Sequence, residues 1–294
     1  MTIPKIIHQT WKDENVPAVL RPYVESWRRH HPQWEWRLWT DKENRRFIRR
    51  HYPAFLKQYD RYPWPIQRVD AVRYFLLERF GGLYVDLDFQ CLRQFDPLLE
   101  GRSCVLGQES LEHGRLFQRT RIVCNALMAA EPGHPFFRRV IEELPAFAAK
   151  PDPAQTVLTT TGPFMLSDVY DGFASKETIA LMPPDYFYPL SMEQADEFRN
   201  TGRPVDQLDA YAVHFHVGSW WRPDEAKNGG RPVGAGRPNR WQRRGQRIDA
   251  ELAIIAGWLR ASWGWGAKSP ALRGAPARFS ALPSIAIPTG AAEE

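Results

Sequence analysis

The sequence lacks any long hydrophobic run and is poor in cysteine. No stretch of about 18 apolar residues occurs among its 294 residues, so we expect no membrane-spanning helix. The N-terminus, MTIPKIIHQTW, has no apolar core of a secretion signal, so we expect no export by that route. Three cysteines (Cys91, Cys104 and Cys124) are too few for a disulfide framework, and none forms a Cys-x-x-Cys pair. The expected location is a reducing cytoplasm, with peripheral attachment to a membrane left open.

Basic residues are concentrated in one segment. The net charge is +5, but residues 222–247 hold eight Lys or Arg against two acidic residues, a balance of +6, so the rest of the chain carries −1. A body without excess positive charge argues against a nucleic-acid-binding protein. Nucleic-acid binding remains a minor alternative, because the tail is rich in Arg and Trp.

The order of the predicted elements is typical of an α/β fold. Apolar runs predict buried strands at residues 3–8, 36–39 and 83–85, and helical spacing predicts helices at 22–30, 42–52 and 68–80. The pair Gly81-Gly82 is a strong signal for the end of the third helix. Further elements are predicted at residues 105–108, 125–130, 134–147 and 211–217, with a turn at Gly162-Pro163 before another helix. This alternation indicates a mainly parallel sheet flanked by helices.

Asp86 and Asp88 follow the predicted strand at 83–85, one residue apart. Side chains at positions i and i+2 of a strand lie on the same side, about 7 Å apart along the backbone, and two such carboxylates repel each other unless a cation lies beside them. Mg²⁺ and Mn²⁺ suit oxygen ligands, and the carboxyl ends of strands in open α/β sheets are where ligands bind. The pair indicates a metal site; the ordinary alternative is two aspartates that make a turn.

Two other groups of polar residues accompany these aspartates. Asp70 and Arg73 lie three apart on one face of the predicted helix, either as a local ion pair or as part of a ligand site. The segment HFHVGSWW, residues 214–221, contributes imidazoles that are expected on one side of a strand, a hydroxyl and two indole N–H donors. Each of these side chains has a structural explanation on its own, but the set as a whole indicates a binding site.

These segments, in this order, resemble the glycosyltransferases of family 32, which carry a sugar-binding region with an Asp-x-Asp motif and include yeast Golgi mannosyltransferases and mannosyl-inositolphosphoceramide synthases. The likeness extends from residue 3 to about residue 222, and the block from Arg68 to Asp88 is its most specific part. The matching segments are IPKIIHQTWK (3–12), WEWRLWTD (34–41), RVDAVRYFLLERFGGLYVDLD (68–88), NALMAAEPGHPF (125–136), TTGP (160–163) and HFHVGSWW (214–221).

The resemblance implies a GT-A type nucleotide-binding fold and a retaining hexosyl transfer that depends on Mn²⁺ or Mg²⁺. The donor would be a GDP- or UDP-hexose, with mannose favoured over glucose, galactose or N-acetylglucosamine, and the acceptor a glycan or glycolipid hydroxyl. Front-face substitution is the favoured route, in which the leaving phosphate helps to deprotonate the acceptor. A metal-dependent nucleotide-sugar hydrolase or phosphohydrolase remains an alternative, because water can replace the acceptor.

The resemblance also implies roles for individual residues. Asp70, Arg73, Asp86 and Asp88 would be the catalytic set. The metal ligands would be Asp86, Asp88 and His216. The donor would be bound by Gln9, Thr10, Trp11, Asp70, Arg73, Asp86, Asn125, Gly162, Ser219, Trp220 and Trp221.

The chain is expected to have three parts. Residues 1–222 would form the catalytic domain, residues 223–247 a basic linker rich in Gly, Pro and Arg, and residues 248–294 an amphipathic helix with a loose tail rich in Pro and Ala. Residues 222–265 either bind an anionic membrane surface or consist of a solvated linker and a helix that packs back on the domain.

Overall fold

The computed structural model describes residues 2–150 and 156–217. The strands are β1 (Ile6–Trp11), β2 (Glu35–Thr40), β3 (Gly82–Val85), β4 (Phe89–Cys91), β5 (Cys104–Gln108), β6 (Val123–Ala130), β7 (Ile179–Met182) and β8 (Ala212–His214). The helices are α1 (Arg21–His30), α2 (Asp41–His51), α3 (Leu56–Arg61), α4 (Pro65–Phe80), α5 (Asp96–Leu99), α6 (Leu111–Leu116), α7 (Pro135–Ala148), α8 (Thr156–Thr160), α9 (Pro163–Gly172), α10 (Pro184–Phe187) and α11 (Met192–Thr201).

Six strands form one twisted sheet in the order β2-β1-β3-β6-β5-β7. All neighbouring pairs are parallel except the two that involve β6, which runs against both β3 and β5. The carboxyl ends of β1, β3 and β5 and the start of β6 therefore meet at one edge of the sheet. A second, two-stranded sheet pairs β4 with β8 in antiparallel register, with Phe89 opposite His214.

Apolar side chains fill the space on both faces of the large sheet. On one face, α4, α7 and α9 pack over alternate residues such as Tyr84 of β3 and Met128 of β6. On the other face, α1, α5 and α10 cover Leu83 and Val85, and the Trp27 side chain of α1 is fully buried there. Two apolar faces require helices on both sides, which confirms the predicted α/β class and its mainly parallel sheet flanked by helices.

The turn from α4 to β3 depends on its two glycines. Gly81 and Gly82 both have positive φ, of 64° and 91°. A Cβ atom on Gly82 would lie 2.7 Å from the carbonyl oxygen of Ile6 in β1. Only glycine allows both the backbone conformation and the close approach, and the turn brings the end of α4 directly beside the first strand of the sheet.

Some predicted boundaries were wrong. β1 begins at Ile6 and continues to Trp11, and β2 is only partly buried, because it is the edge strand of the sheet. The predicted strand at 211–217 ends at His214. The predicted helices at 22–30, 42–52, 68–80 and 134–147 are confirmed as α1, α2, α4 and α7 with small shifts at their ends.

The predicted basic linker, amphipathic helix and tail, together with the membrane surface at residues 222–265, lie outside the described residues. Among the helices of the described part, none has the length and apolar character needed to cross a bilayer. Cys91, Cys104 and Cys124 are buried free thiols.

Candidate active site

The two aspartates of the Asp-x-Asp motif lie in the turn between β3 and β4. β3 ends at Val85, and the N–H of Phe89 donates a hydrogen bond of 3.3 Å to the carbonyl oxygen of Asp86, which closes the turn. The expectation that both side chains lie on one side of a strand is therefore wrong, because the strand ends before the first aspartate. Each carboxylate instead has its own set of partners.

Arg73 occupies the space beside Asp86 and is almost completely buried, with 2% of its side chain exposed. Its Nη1 donates to the carbonyl oxygen of Asn125 at 2.8 Å and to Asp86 at 3.4 Å, and its Nη2 lies 3.0 Å from Asp70 Oδ1. The guanidinium also lies over the ring of Tyr84, 4.7 Å from its centroid. The buried guanidinium of Arg73 thus links α4, the motif turn and the start of β6.

Asp70 is held by neutral donors as well as by Arg73. Asn125 Nδ2 donates to its Oδ1 at 3.0 Å, and the hydroxyl of Thr161 donates to its Oδ2 at 3.2 Å. Burial raises the pKa of Asp70 to about 6, against the opposing effect of the guanidinium. Burial likewise raises the pKa of Asp86, although Arg73 opposes that shift. This side of the site therefore has one cation between two strongly desolvated carboxyl groups.

Asp88 is enclosed by the segment that follows β8. His214 Nε2 lies 3.2 Å from Oδ1, and the N–H of Val217 donates to Oδ2 at 2.9 Å. The N–H of Phe215 donates to the backbone carbonyl of Asp88 at 3.0 Å. Burial alone would raise the pKa of Asp88, but the charge and hydrogen bond of His214 hold it at about 2. Asp88 is therefore ionised at neutral pH.

His216 lies beyond the end of β8 in a left-handed backbone conformation, with φ of 46°. The alternating pattern predicted that His214 and His216 share one face of a strand, and this is wrong because β8 ends at His214. The left-handed turn nevertheless brings the two rings to a centroid distance of 3.9 Å. Burial lowers the pKa of His216 to about 3, so its imidazole is neutral. Its Nε2 atom is buried and has no hydrogen-bond partner within the described ranges.

Gln9, Thr10 and Trp11, three of the predicted donor-binding residues, lie at the carboxyl end of β1. Thr10 Oγ1 donates to the hydroxyl of Tyr84 at 2.8 Å, which in turn donates to Asp86 Oδ1 at 2.8 Å. Gln9 Oε1 accepts from the indole N–H of Trp36 at 2.8 Å. Gln9 Nε2 and Trp11 Nε1 are buried donors without partners inside the described part of the chain. The end of β1 is thus connected to the motif aspartate through a tyrosine.

Asn125 and Gly162 also lie near the buried pair. Asn125 is the third residue of β6, and its amide bridges Asp70 and the hydroxyl of Tyr74. Gly162 precedes α9 as its N-cap and follows the threonine that donates to Asp70. The predicted donor-binding residues Ser219, Trp220 and Trp221 lie outside the described residues.

The donor chemistry at this edge fits a hard divalent cation. Asp86 and Asp88 supply carboxylate oxygens whose side chains are 28% and 17% exposed, and His216 supplies a neutral imidazole with a nitrogen that has no partner among the described residues. Metal ligands must be deprotonated, and the pKa shifts of Asp88 and His216 both favour that state. Among residues 2–150 and 156–217, no three His, Cys, Asp or Glu side chains are grouped around a common point as metal ligands would be. The proposed trio therefore stays a prediction.

Sequence reasoning missed five residues of this region. They are Tyr74, Tyr84, Glu109, His113 and Thr161. Three of them had a readable signal: Tyr84 is two residues before Asp86, Tyr74 is one helical turn after Asp70, and Glu109 directly follows a strand that ends at the same edge. Burial alone would raise the pKa of Glu109, but the hydrogen bond and charge of His113 hold it at about 2.

The chain is similar in sequence to a family model and to several curated proteins. Residues 17–105 match the family described as "Glycosyltransferase sugar-binding region containing DXD motif". The chain is 42% identical over 172 residues to inositol phosphoceramide mannosyltransferase 3 of Schizosaccharomyces pombe, which covers 58% of this chain and 46% of that protein. It is 34% identical over 191 residues to mannosyl phosphorylinositol ceramide synthase SUR1 of Saccharomyces cerevisiae, covering 63% and 47%.

A solved structure of the galactosyltransferase LgtC with donor and acceptor sugar analogues is also similar, with 11% identity, a TM-score of 0.42 and coverage of 81% of this chain and 99% of that chain. The chain spans about half the length of the curated relatives it matches. These matches show that residues 17–105 are similar to the sugar-binding region with a DXD motif, and that the chain is similar to mannosyltransferases of two yeasts.

Proposed function

We propose that this protein is a metal-dependent retaining hexosyltransferase that moves mannose from GDP-mannose to a hydroxyl of a glycolipid. The observation that carries the proposal is the buried Arg73 beside Asp86, at the sheet edge where the motif turn begins. A glycosyl transfer from a nucleotide sugar leaves negative charge on the diphosphate. A fixed cation next to a motif carboxylate stabilises that charge as the bond breaks.

The substrate choice follows the relatives. Both curated relatives are named for mannosyl transfer to an inositol phosphoceramide, so mannose and an inositol-phosphate lipid are the preferred donor sugar and acceptor class. Gln9 Nε2 and Trp11 Nε1, buried donors without a partner in the described part of the chain, support the assignment of the end of β1 to the nucleotide base. Base carbonyl oxygens are acceptors that such groups can satisfy.

Asp86, Asp88 and His216 would hold Mn²⁺ or Mg²⁺. The cation, when bound, supplies charge stabilisation at the diphosphate oxygens. Arg73 adds a fixed positive charge, and Asp70 orients it through the contact at 3.0 Å. Both oxygens of Asp70 already accept hydrogen bonds, from Asn125 and Thr161, which supports an orienting role and not that of a nucleophile.

The route that fits this arrangement is front-face substitution. The glycosidic oxygen of the leaving phosphate takes the proton of the acceptor hydroxyl on the same face of the sugar, the new C–O bond forms there, and the configuration at the anomeric carbon is retained. Trapping a covalent glycosyl-enzyme intermediate with a fluorinated donor would contradict this route.

A thermal-shift panel on the full chain tests the proposal. GDP-mannose, UDP-glucose, UDP-galactose and UDP-N-acetylglucosamine are compared with and without Mn²⁺. A ligand that binds only the folded state stabilises it by about 2.7 kcal/mol at a hundred times its dissociation constant, so a bound donor raises the melting temperature measurably. The expected result is a Mn²⁺-dependent shift with GDP-mannose that Asp88→Asn loses and the exposed control Asp209→Asn keeps.

Product analysis then separates transfer from hydrolysis. Radiolabelled GDP-mannose is incubated with Mn²⁺, with and without an inositol-phosphate lipid. Label in the lipid supports the transferase. Free mannose formed at the same rate with and without lipid would favour the nucleotide-sugar hydrolase, and no shift and no product from any donor would overturn the proposal.

A further inference from the structure

Glu109 lies at the same edge of the sheet as the motif aspartates. It directly follows β5, and its N–H donates to the carbonyl oxygen of Ile122 at 2.9 Å, one residue before β6. β5 and β3 run in the same direction and are separated only by β6, which places their ends about 10 Å apart at the usual strand spacing. A carboxylate is thus fixed two strands away from Asp86.

Glu109 is held by a histidine of the following helix. His113 Nδ1 donates to Glu109 Oε2 at 2.9 Å, and the two side chains are only 10% and 13% exposed. The N–H of His113 donates to the hydroxyl of Ser110 at 3.2 Å, which caps α6. Both the ring and the backbone of His113 are therefore anchored.

A row of three imidazoles connects this pair to Asp88. The rings of His113 and His216 meet edge to face, with centroids 5.8 Å apart and planes at 74°. The rings of His216 and His214 follow at 3.9 Å, and His214 Nε2 reaches Asp88 at 3.2 Å. One end of the row is tied to a motif aspartate and the other end to Glu109.

The middle member of the row needs support from both sides. His216 has a positive φ. This conformation is unfavourable for any residue other than glycine, and it persists only where the surrounding structure holds it. The same turn places the N–H of Val217 on Asp88. The ring of His216 has two aromatic neighbours, that of His214 at a centroid distance of 3.9 Å and that of His113 at 5.8 Å. Without the second contact, the imidazole of His216 would lose a neighbour that limits its rotation.

We infer that Glu109 and His113 form a positioning pair that fixes the imidazole of His216 for its part in the site, an inference that rests on the proposed function. Glu109 orients His113 through its hydrogen bond, and His113 orients His216 through ring contact. Outer partners of a metal-binding histidine commonly change metal affinity about 10-fold to 100-fold when they are removed.

The test is a titration of Mn²⁺ into the full chain, followed by electron paramagnetic resonance of the free ion, alone and with GDP or UDP. Glu109→Ala removes the acceptor of the hydrogen bond, and we expect Mn²⁺ to bind about tenfold more weakly. Glu109→Gln keeps an amide oxygen that His113 can donate to, and should restore most of the affinity. Glu112→Ala is the matched control, because Glu112 is an exposed glutamate of α6, the helix that carries His113.

A second variant keeps the inference testable if Glu109→Ala does not fold. His113→Asn retains a side-chain N–H for Glu109 but removes the ring beside His216, so it should weaken Mn²⁺ binding while its melting temperature stays near that of the wild type. Wild-type affinity in His113→Asn, or in a folded Glu109→Ala, would overturn the inference.

Equal weakening by Glu109→Ala and Glu109→Gln would also overturn it, because the charge and not the hydrogen bond would then matter. If the wild type itself does not bind Mn²⁺ with either nucleotide, the proposed function fails and this inference fails with it. If the wild type binds Mn²⁺ and the variants bind it with the same affinity, the proposed function stands and the positioning pair does not.

Discussion

Replacing Arg73 by methionine removes the cation that Asp70 and Asp86 share. The side chain is 2% exposed and contacts both carboxylates and the carbonyl oxygen of Asn125. Methionine has a similar length and fills much of the same volume, so the change mainly deletes charge and hydrogen bonds. The buried carboxyl group of Asp70 and the partly exposed one of Asp86 are then left without their counter-ion.

The cost follows from that geometry. Removing one partner of a buried ion pair costs about 3–5 kcal/mol, because the remaining charge is left desolvated and uncompensated. Asp70 limits the loss, since its pKa is already raised to about 6 and rises further without Arg73, so that it takes up a proton near neutral pH. We expect Arg73→Met to lower the free energy of unfolding by about 3–4 kcal/mol at pH 7. Arg73→Lys keeps the charge but loses the forked geometry and should cost about 1–2 kcal/mol.

Urea unfolding followed by tryptophan fluorescence measures this difference. Asp70→Asn in the Arg73→Met background should recover about 1 kcal/mol, because a neutral amide replaces a carboxyl that must otherwise stay desolvated or take up a proton. The loss in Arg73→Met should also shrink at pH 5, where Asp70 is protonated more easily. A loss below about 1 kcal/mol at pH 7, which is typical of an exposed ion pair, would refute the reasoning.

Two further predictions concern the fold beneath the site. His8 donates from Nε2 to a backbone carbonyl and accepts from Trp39 at Nδ1, and burial lowers its pKa to about 4. Between pH 6.5 and 4 the unfolded chain therefore takes up a proton at this residue that the folded chain does not. The free energy of unfolding should fall by about 3 kcal/mol over that range. That part of the slope should be absent from His8→Gln in a series of urea titrations. Gly82→Ala should cost at least about 3 kcal/mol by thermal unfolding, because it combines positive φ with a clash against backbone. Gly101→Ala, which has positive φ but open space, should cost only about 1 kcal/mol, and equal losses would show that the clash does not matter.

Much of the fold could be predicted from the sequence because its signals are local. The helical spacing of residues 68–80 and the glycine pair after it defined α4 and the turn into β3, and both are confirmed. The Asp-x-Asp pair and the Asp70–Arg73 pair were recognised from spacing and residue type. The error about the side on which Asp86 and Asp88 lie came from extending strand geometry past Val85, where β3 ends.

The order of the strands and the partners of the buried carboxylates were decided by the tertiary structure. Thr161 donates to a carboxylate 91 residues earlier in the chain, and the amide of Asn125 reaches across 55 residues to the same group. His113 had no signal in the sequence and Glu109 only its place after a predicted strand, and the parallel alignment of β5 with β3 brings the pair to the edge where His216 lies. Spacing along the chain determined which residues could bind a ligand, because periodicity and turn chemistry act over a few residues. Packing of distant segments decided their charges and contacts, because desolvation and ion pairing depend on which groups the fold brings together.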